Sequence, residues 1–441
     1  MQELDLSLNI LNDVIDNDVT FAESLKKKFQ SDPAIRPMRA NVAGLVGCAL
    51  RHQILFDYLV KDLDALTVTE KRLVSLCLAN DYFFRHFETG LIDAAAKEAL
   101  GEEKFALVEP LFAKTSKPEE YIPTDIARAS NSYLSLRYNT PEWVLKVMEH
   151  FGYSNTYRTL REFARPATYY LRARSNYDRG SLPEGDLDAT EIEGIYAYKG
   201  KTPLRKIEAY RDGKLYDEKP FVKWIVDQNK VEEPAEIFLY DGSVSESFSK
   251  ELIETYGASI GMNIACPNLD AKFGVTKLIK EKELHNVNFF AAPDVESMDA
   301  AISHPQDLAI VVPDATNFDL IPYTPDYLLH FNKDGMDALF ENQRKALNSV
   351  AKYVALNGRL VYVIPTISRK EGSNLVKTFL RYHPEFALVE EKQHFPFDSL
   401  RSAFYYAVLV KQGETVAIDP PISELSQVAT QGAAAFQAAG K

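Results

Sequence analysis

Along the first 130 residues the apolar positions recur at spacings of three and four. Leu6, Leu8, Ile10, Leu11, Val14 and Ile15 form one broad face. Val42, Leu45, Val46 and Leu50, then Ile54, Leu55, Tyr58 and Leu59, then Leu73, Val74, Leu76, Cys77 and Leu78 continue it. That period is the signature of packed amphipathic helices. Ser31-Asp32-Pro33 and Asp64-Ala65-Leu66-Thr67 read as breaks between them. The pattern predicts an all-α helical bundle over 1–130, with its cysteines in the core.

From 131 to 232 the pattern is mixed, and we expect a small α+β connector. Thr140-Pro141-Glu142-Trp143 reads as a helix start, with a threonine cap and proline in the first turn, running to Gly152. Apolar alternation over Ile192–Tyr198 and Ile207–Tyr216, around Asp212-Gly213, suggests a small sheet with a hairpin turn. Gly180, Pro183 and Gly185 mark irregular chain between.

Past 233 the rhythm changes again. Strand-length apolar runs fall at 237–240, 264–266, 287–290, 308–312, 360–364 and 404–410. Helical stretches at 245–256, 336–355 and 370–382 lie between several of them. Such alternation predicts an α/β domain over 233–415 with a largely parallel, twisted sheet. Ligands of these sheets sit at the carboxyl ends of strands. The loops after Tyr240, Cys266, Phe290, Val312 and Ile364 are therefore the candidates. The remainder, 416–441, is small and polar and reads as a disordered tail.

Composition narrows the function classes. The chain has 441 residues, 46% hydrophobic, and a net charge of −13. No apolar run approaches the roughly 20 residues that span a bilayer, and no basic leader with an apolar stretch opens the chain, so a cytoplasmic protein is expected. Three scattered cysteines (Cys48, Cys77, Cys266) suit free thiols in a reducing compartment and lack metal-ligand spacing. The net charge argues against indiscriminate nucleic-acid binding. One stretch reverses it: Arg158, Arg161, Arg165, Arg172, Arg174 and Arg179 stand among tyrosines, against Glu162 and Asp178. Arginine forks grip phosphates and aromatic rings stack on bases, which makes this stretch a candidate RNA contact. Pairing with the chain's own carboxylates is the competing reading.

Several segments, in order, resemble the Sun family of RNA cytosine-5 methyltransferases, especially bacterial ribosomal-RNA members with an N-terminal NusB-type domain. Leu45–Arg51 resembles a stretch of that helical domain. Thr140–Trp143 and Leu171–Arg174 are similar to the family's H-P-x-W and L-R-V-N elements. Asn357–Tyr362 resembles its P-G-G-x-L-V-Y strand, Leu375–Leu380 with His383–Phe386 the helix that follows, and Phe404–Ala407 its last strand. The resemblance implies a Rossmann-like class I methyltransferase sheet, S-adenosylmethionine as cofactor, no metal, and RNA, ribosomal by analogy, as partner.

The departures fall where such an enzyme does its chemistry. Carbon 5 of cytosine becomes nucleophilic only after a thiolate adds to the neighbouring ring carbon. The two positions where the family carries cysteine align with Ala315 and Pro365, and no cysteine lies beyond Cys266. The glycine-rich turn after the first strand is reduced to Asp241-Gly242-Ser243-Val244-Ser245-Glu246, without its lysine. Glu246 would repel the ligand's carboxylate. The acid expected after the second strand falls at Pro267, with Asp270 three residues on. Asp241, Gly242 and Asp294 remain as candidate cofactor contacts. Motifs for Ser/His/Asp hydrolysis or phosphate-loop chemistry are missing. Three readings stay open: a non-catalytic RNA-binding relative, an active methyltransferase with atypical residues, and a scaffold that binds a protein partner through its helical bundle.

Overall fold

A computed structural model describes residues 1–112, 117–165, 167–178, 182 and 185–414. Arg179, Gly180, Pro183 and the tail expected to be disordered lie outside these residues. The described chain forms two compact units. One takes residues 1–165 together with 320–332, and the other takes 167–319 with the chain from 333 onward. The break falls inside the stretch read as a connector: its helices up to Phe163 join the first unit, and its strands, with helices Glu208–Arg211 and Pro220–Gln228, join the second.

The first unit is helical. Gln2–Asp16, Arg39–Arg51 and Val68–Ala79 bury Ile10, Val42, Leu45, Val46, Val74 and Leu76 in one core. Phe21–Ser31 and Val68–Ala79 each begin with a reciprocal cap, Thr20 with Glu23 and Thr67 with Glu70. Each cap contributes about 1 kcal/mol by satisfying orphan N–H groups. Cys77 is buried in this core and Cys48 is half-buried; both are free thiols.

The helix expected from Thr140 to Gly152 is present as Glu142–Met148 with a closing turn to Phe151, and a further helix follows it. Thr140 caps nothing: its hydroxyl donates to the Tyr138 carbonyl at 3.1 Å. Glu142–Met148 is followed by a tight turn, and a second helix, Gly152–Phe163, begins where the first was expected to stop. Gly152 has φ +77°, a conformation that costs other residues a clash, so the chain redirects there.

The second unit opens with four short strands: β1 Tyr169–Ala173, β2 Leu187–Ala189, β3 Ile195–Tyr198 and β4 Leu215–Asp217. Their order is β2-β3-β1-β4, and all pairs are antiparallel. The hairpin expected around Asp212-Gly213 is absent. Glu208–Arg211 is a helical turn instead, and β4 pairs with β1. Ile207, Ala209, Leu215 and Leu171 share one small apolar cluster, which this arrangement buries.

The large sheet contains β5 Glu236–Asp241, β6 Gly261–Cys266, β7 Val287–Ala291, β8 Gln306–Val312, β9 Val354–Ile364, β10 Phe386–His394 and β11 Phe404–Lys411. Its order is β10-β11-β9-β8-β5-β6-β7, with β7, β6, β5, β8 and β9 parallel and β11 antiparallel to both neighbours. Alternation assigns the faces. Ile237, Leu239, Ile264 and Ile310 pack under helices Pro220–Gln228, Ser247–Tyr256 and Phe273–Glu281. Phe238, Ala265, Val311 and Tyr362 pack under Met336–Ala351 and Ser373–Tyr382. This is the Rossmann-like class I methyltransferase sheet that the resemblance implied. β10 has no counterpart among the expected strands. It is an edge strand whose middle, including Glu390, Glu391 and Lys392, is exposed, which hides its pattern and discourages pairing with other chains.

Among the described residues no helix is long and apolar enough to cross a membrane, and no group of three or more His, Cys, Asp or Glu is placed to hold a metal ion.

Candidate functional site

From β5 the chain proceeds to β6 on one side, and β8 lies on the other. The carboxyl ends of β5 and β8 thus flank the switch point, where a doubly wound sheet leaves its crevice. Here the two loops touch. The Gly242 N–H donates to the Val312 carbonyl at 2.8 Å. A Cβ on Gly242 would stand 3.1 Å from the Asp314 nitrogen and 3.3 Å from Pro313 Cα. The glycine admits a neighbouring loop of the same chain to the point where a ligand would approach.

Asp241 ends β5 and is fully buried. Its carboxylate accepts from the Ser243 hydroxyl at 2.6 Å, the Ser249 hydroxyl at 2.5 Å and Lys272 Nζ at 3.0 Å. Lys272, itself 3% exposed, also donates to the carbonyls of Ser243, at 2.8 Å, and Ser245. The ammonium missing from this loop is thus supplied by another segment, the turn before helix Phe273–Glu281. Glu246 accepts from the Gly274 N–H at 2.6 Å and pairs with Lys250. These polar groups satisfy one another. Asp270 is exposed. Asp294 lies at the third loop, where it caps a short helical turn by accepting from Ser297 N at 2.9 Å and Ser297 Oγ at 2.5 Å.

A second internal network occupies the ends of β8 and β9. Ala315 and Pro365 are both buried, Ala315 within the apolar cluster of that sheet face. The hydroxyls of the next residues, Thr316 and Thr366, lie 2.9 Å apart. Both donate to Glu371, which is fully buried, and Glu371 also accepts from Thr316 N at 2.9 Å and Gln343 Nε2 at 3.0 Å. Burial raises the Glu371 carboxyl above its ordinary range, and the donors from Thr316, Thr366 and Gln343 pull it back only in part. Cys266, at the end of β6, is pushed up to about 11 by burial, so it is a neutral thiol at physiological pH. No thiolate, imidazole or solvent-facing hydroxyl stands at the ends of β8 and β9 among the residues just described.

The candidate RNA contacts divide. Arg158, Arg161 and Arg165 belong to the first unit, Arg172 and Arg174 to the second. Arg172 donates to the buried Glu251 at 2.9 Å, and Arg174 pairs with Glu254 at 2.9 Å. Both carboxylates come from helix Ser247–Tyr256, which holds β1 against the large sheet. Arg172 and Arg174 are thus engaged by carboxylates of the chain itself. Arg158, Arg161 and Arg165 are exposed on or just past helix Gly152–Phe163. Arg165 pairs with Glu162 at the surface. Tyr153 and Tyr157 are exposed on the same helix and stack with centroids 6.0 Å apart.

No protein-family model and no curated protein matches this sequence. Solved structures do. A crystal structure of PH0851 aligns with 92% of this chain and 97% of its own, at TM-score 0.67 and 17% identity. A methyltransferase homologue from Pyrococcus horikoshii aligns with 63% of this chain and 97% of its own, at TM-score 0.52 and 11% identity. NSun6 from Pyrococcus horikoshii, solved with SFG, aligns with 61% of this chain and 97% of its own, at TM-score 0.51 and 13% identity. The likeness is one of fold.

Sequence reasoning missed Lys272, Thr316, Thr366, Gln343 and Glu371. Thr316 and Thr366 immediately follow the two lost cysteine positions, so their kinship was visible. Lys272 and Gln343 carry no local signal, because each acts on a loop far away in sequence, and Glu371 joins its neighbour Thr366 to the distant Thr316.

Proposed function

We propose that this protein is a non-catalytic, RNA-binding relative of the Sun-type RNA cytosine-5 methyltransferases. The network of Thr316, Thr366, Gln343 and Glu371 carries the reading. Ala315 and Pro365 stand at the cysteine positions, and the neighbouring Thr316 and Thr366 hydroxyls are buried and already committed to a carboxylate. The residues do not fit S-adenosylmethionine well either. Asp241 has its oxygens taken by Ser243, Ser249 and Lys272, Gly242 packs on the β8 loop, and Pro267 stands where a ribose-binding acid is expected. RNA binding is supported by the exposed Arg158, Arg161 and Arg165 beside Tyr153 and Tyr157. Structured ribosomal RNA, in the cytoplasm, is the first class to try.

Two measurements test this. Calorimetric titration with S-adenosylmethionine should give no heat up to millimolar cofactor, and no thermal stabilisation; micromolar binding would overturn the non-catalytic half. Fluorescence anisotropy with labelled ribosomal RNA fragments should show binding that weakens steeply with salt. Absence of binding at low salt would remove the RNA half and leave the scaffold reading.

A further inference from the structure

The first unit contains a cleft of about 340 Å³ that the resemblance does not account for. Its size is at the lower end for small-ligand sites, roughly 300–1,000 Å³. It lies where helix Arg39–Arg51 breaks at His52 into helix Gln53–Val60, and the break is held from outside. Asn139 accepts from the Ile54 N–H at 2.8 Å and donates to the Leu50 carbonyl at 2.8 Å. The floor is therefore fixed before any ligand arrives.

The lining suits a planar anion. His52 stacks on Phe83, with ring centroids 3.8 Å apart and planes 16° from parallel. Phe83 comes from Asn80–Phe84, a π-helical turn, a wide coil that often marks functional positions. Arg51 and Arg137 bring two guanidiniums, against Asp57 as the acid on the wall. Their charges are felt at the stack: burial first, then Arg137 and Arg51, push His52 down to about 3. Its imidazole is neutral at physiological pH and offers a flat, uncharged face. Gln53 Oε1 is buried without a hydrogen-bond donor. Leaving a buried acceptor unpaired is unfavourable, and a ligand N–H would satisfy it.

The cleft is continuous with the basic helix. Phe163 and Ala164, at the end of Gly152–Phe163, line it. Tyr138, also on the wall, meets Tyr157 of that helix edge-on at 5.8 Å. We infer that the cleft takes one unstacked nucleotide of an RNA strand, its base on the His52–Phe83 stack, its phosphate on Arg51 and Arg137. This rests on the RNA-binding reading and adds a base-reading site to it.

The test uses the full chain and short single-stranded homopolymer RNAs, with free nucleoside monophosphates as a second arm. Arg137→Gln should weaken RNA binding about tenfold, the loss of one charge-assisted contact. Gln53→Ala should weaken it a few-fold and flatten preference among the homopolymers. Arg137 also pairs with Glu119 at 3.1 Å, so thermal midpoints are measured beside binding, and Glu119→Gln, which leaves Arg137 in place, should not weaken RNA binding. Cleft variants that bind RNA like the parent, while Arg158→Gln/Arg161→Gln/Arg165→Gln does not, would overturn the cleft site and leave the RNA reading standing. Parent protein that binds no RNA would overturn both. Monophosphate binding lost in Arg137→Gln, without any RNA binding, would overturn an RNA strand as the occupant.

Discussion

At the carboxyl edge of the large sheet, charge is turned inward. Asp241, Lys272 and Glu371 are all nearly or fully buried, and each is bonded to groups of the same chain. On helix Gly152–Phe163 and the cleft beside it, charge is turned outward or toward an open cavity. In the first arrangement the strand-end charges form part of the core. Buried ionic groups persist only when paired, and each of these has an internal partner. In the second arrangement the pairs, such as Arg165 with Glu162, lie at the surface. The contrast is why the proposed binding surface is placed in the helical unit and not at the strand ends.

The largest effect should come from breaking the inward network. Lys272→Met strands the Asp241 carboxylate, and about 3–5 kcal/mol of stability should disappear in denaturant unfolding. Adding Asp241→Asn should restore much of it. A neutral Lys272→Met would mean that the loop is open to solvent, and the contrast would collapse.

Next is the outward surface. Arg158→Gln/Arg161→Gln/Arg165→Gln should weaken RNA binding by more than about tenfold and flatten its salt dependence, since phosphate contacts set that slope. The unfolding midpoint should stay within error of the parent.

A third test concerns Glu218, which lies near Glu251, Arg172, Lys223 and Tyr216 and is fully buried. Burial, then the Glu251 carboxylate, raise its pKa well above the ordinary 4.5. The folded state therefore holds a proton that the unfolded chain releases. This group's stabilisation is full below about pH 4.5 and is lost as pH rises through the folded value. Stability should fall by about 1.4 kcal/mol per pH unit within that window. Glu218→Gln should remove that slope and be more stable than the parent at pH 8. An unchanged slope would show that other groups control it.

The smallest effect sharpens the role of Asp294. As a helix cap it contributes about 1 kcal/mol, so Asp294→Ala should lower stability by that amount in thermal unfolding. A change in cofactor binding would instead return it to the ligand edge.

The sheet was readable because its central strands are continuous apolar runs: Ile237 to Leu239 and Leu308 to Val312 are buried on both faces and leave little polar contrast to misread. β10 was hidden because its exposed charges erase the period. The Glu208–Arg211 turn defeated the hairpin reading because short apolar runs fit a strand and a helical turn alike. At the site, the losses at Ala315 and Pro365 were legible one residue at a time. What replaced them was not, because Lys272 and Glu371 reach their partners through tertiary contacts. Arg172 and Arg174 look like Arg158 and Arg161 in sequence; only Glu251 and Glu254, some eighty positions on, tell them apart.

The segment 320–332 sets a schedule for synthesis. Asp326 accepts from the Phe21 N–H at 2.7 Å, across 305 positions of chain, and His330 reaches Asp18 at 2.8 Å. On a ribosome adding roughly 5–20 residues per second, the start of helix Phe21–Ser31 waits about 15–60 s for that partner. The helical unit therefore emerges first but is completed only after β8 has been made. Nascent chains halted before residue 320 should carry a looser, more protease-sensitive N-terminal bundle than chains halted past 332.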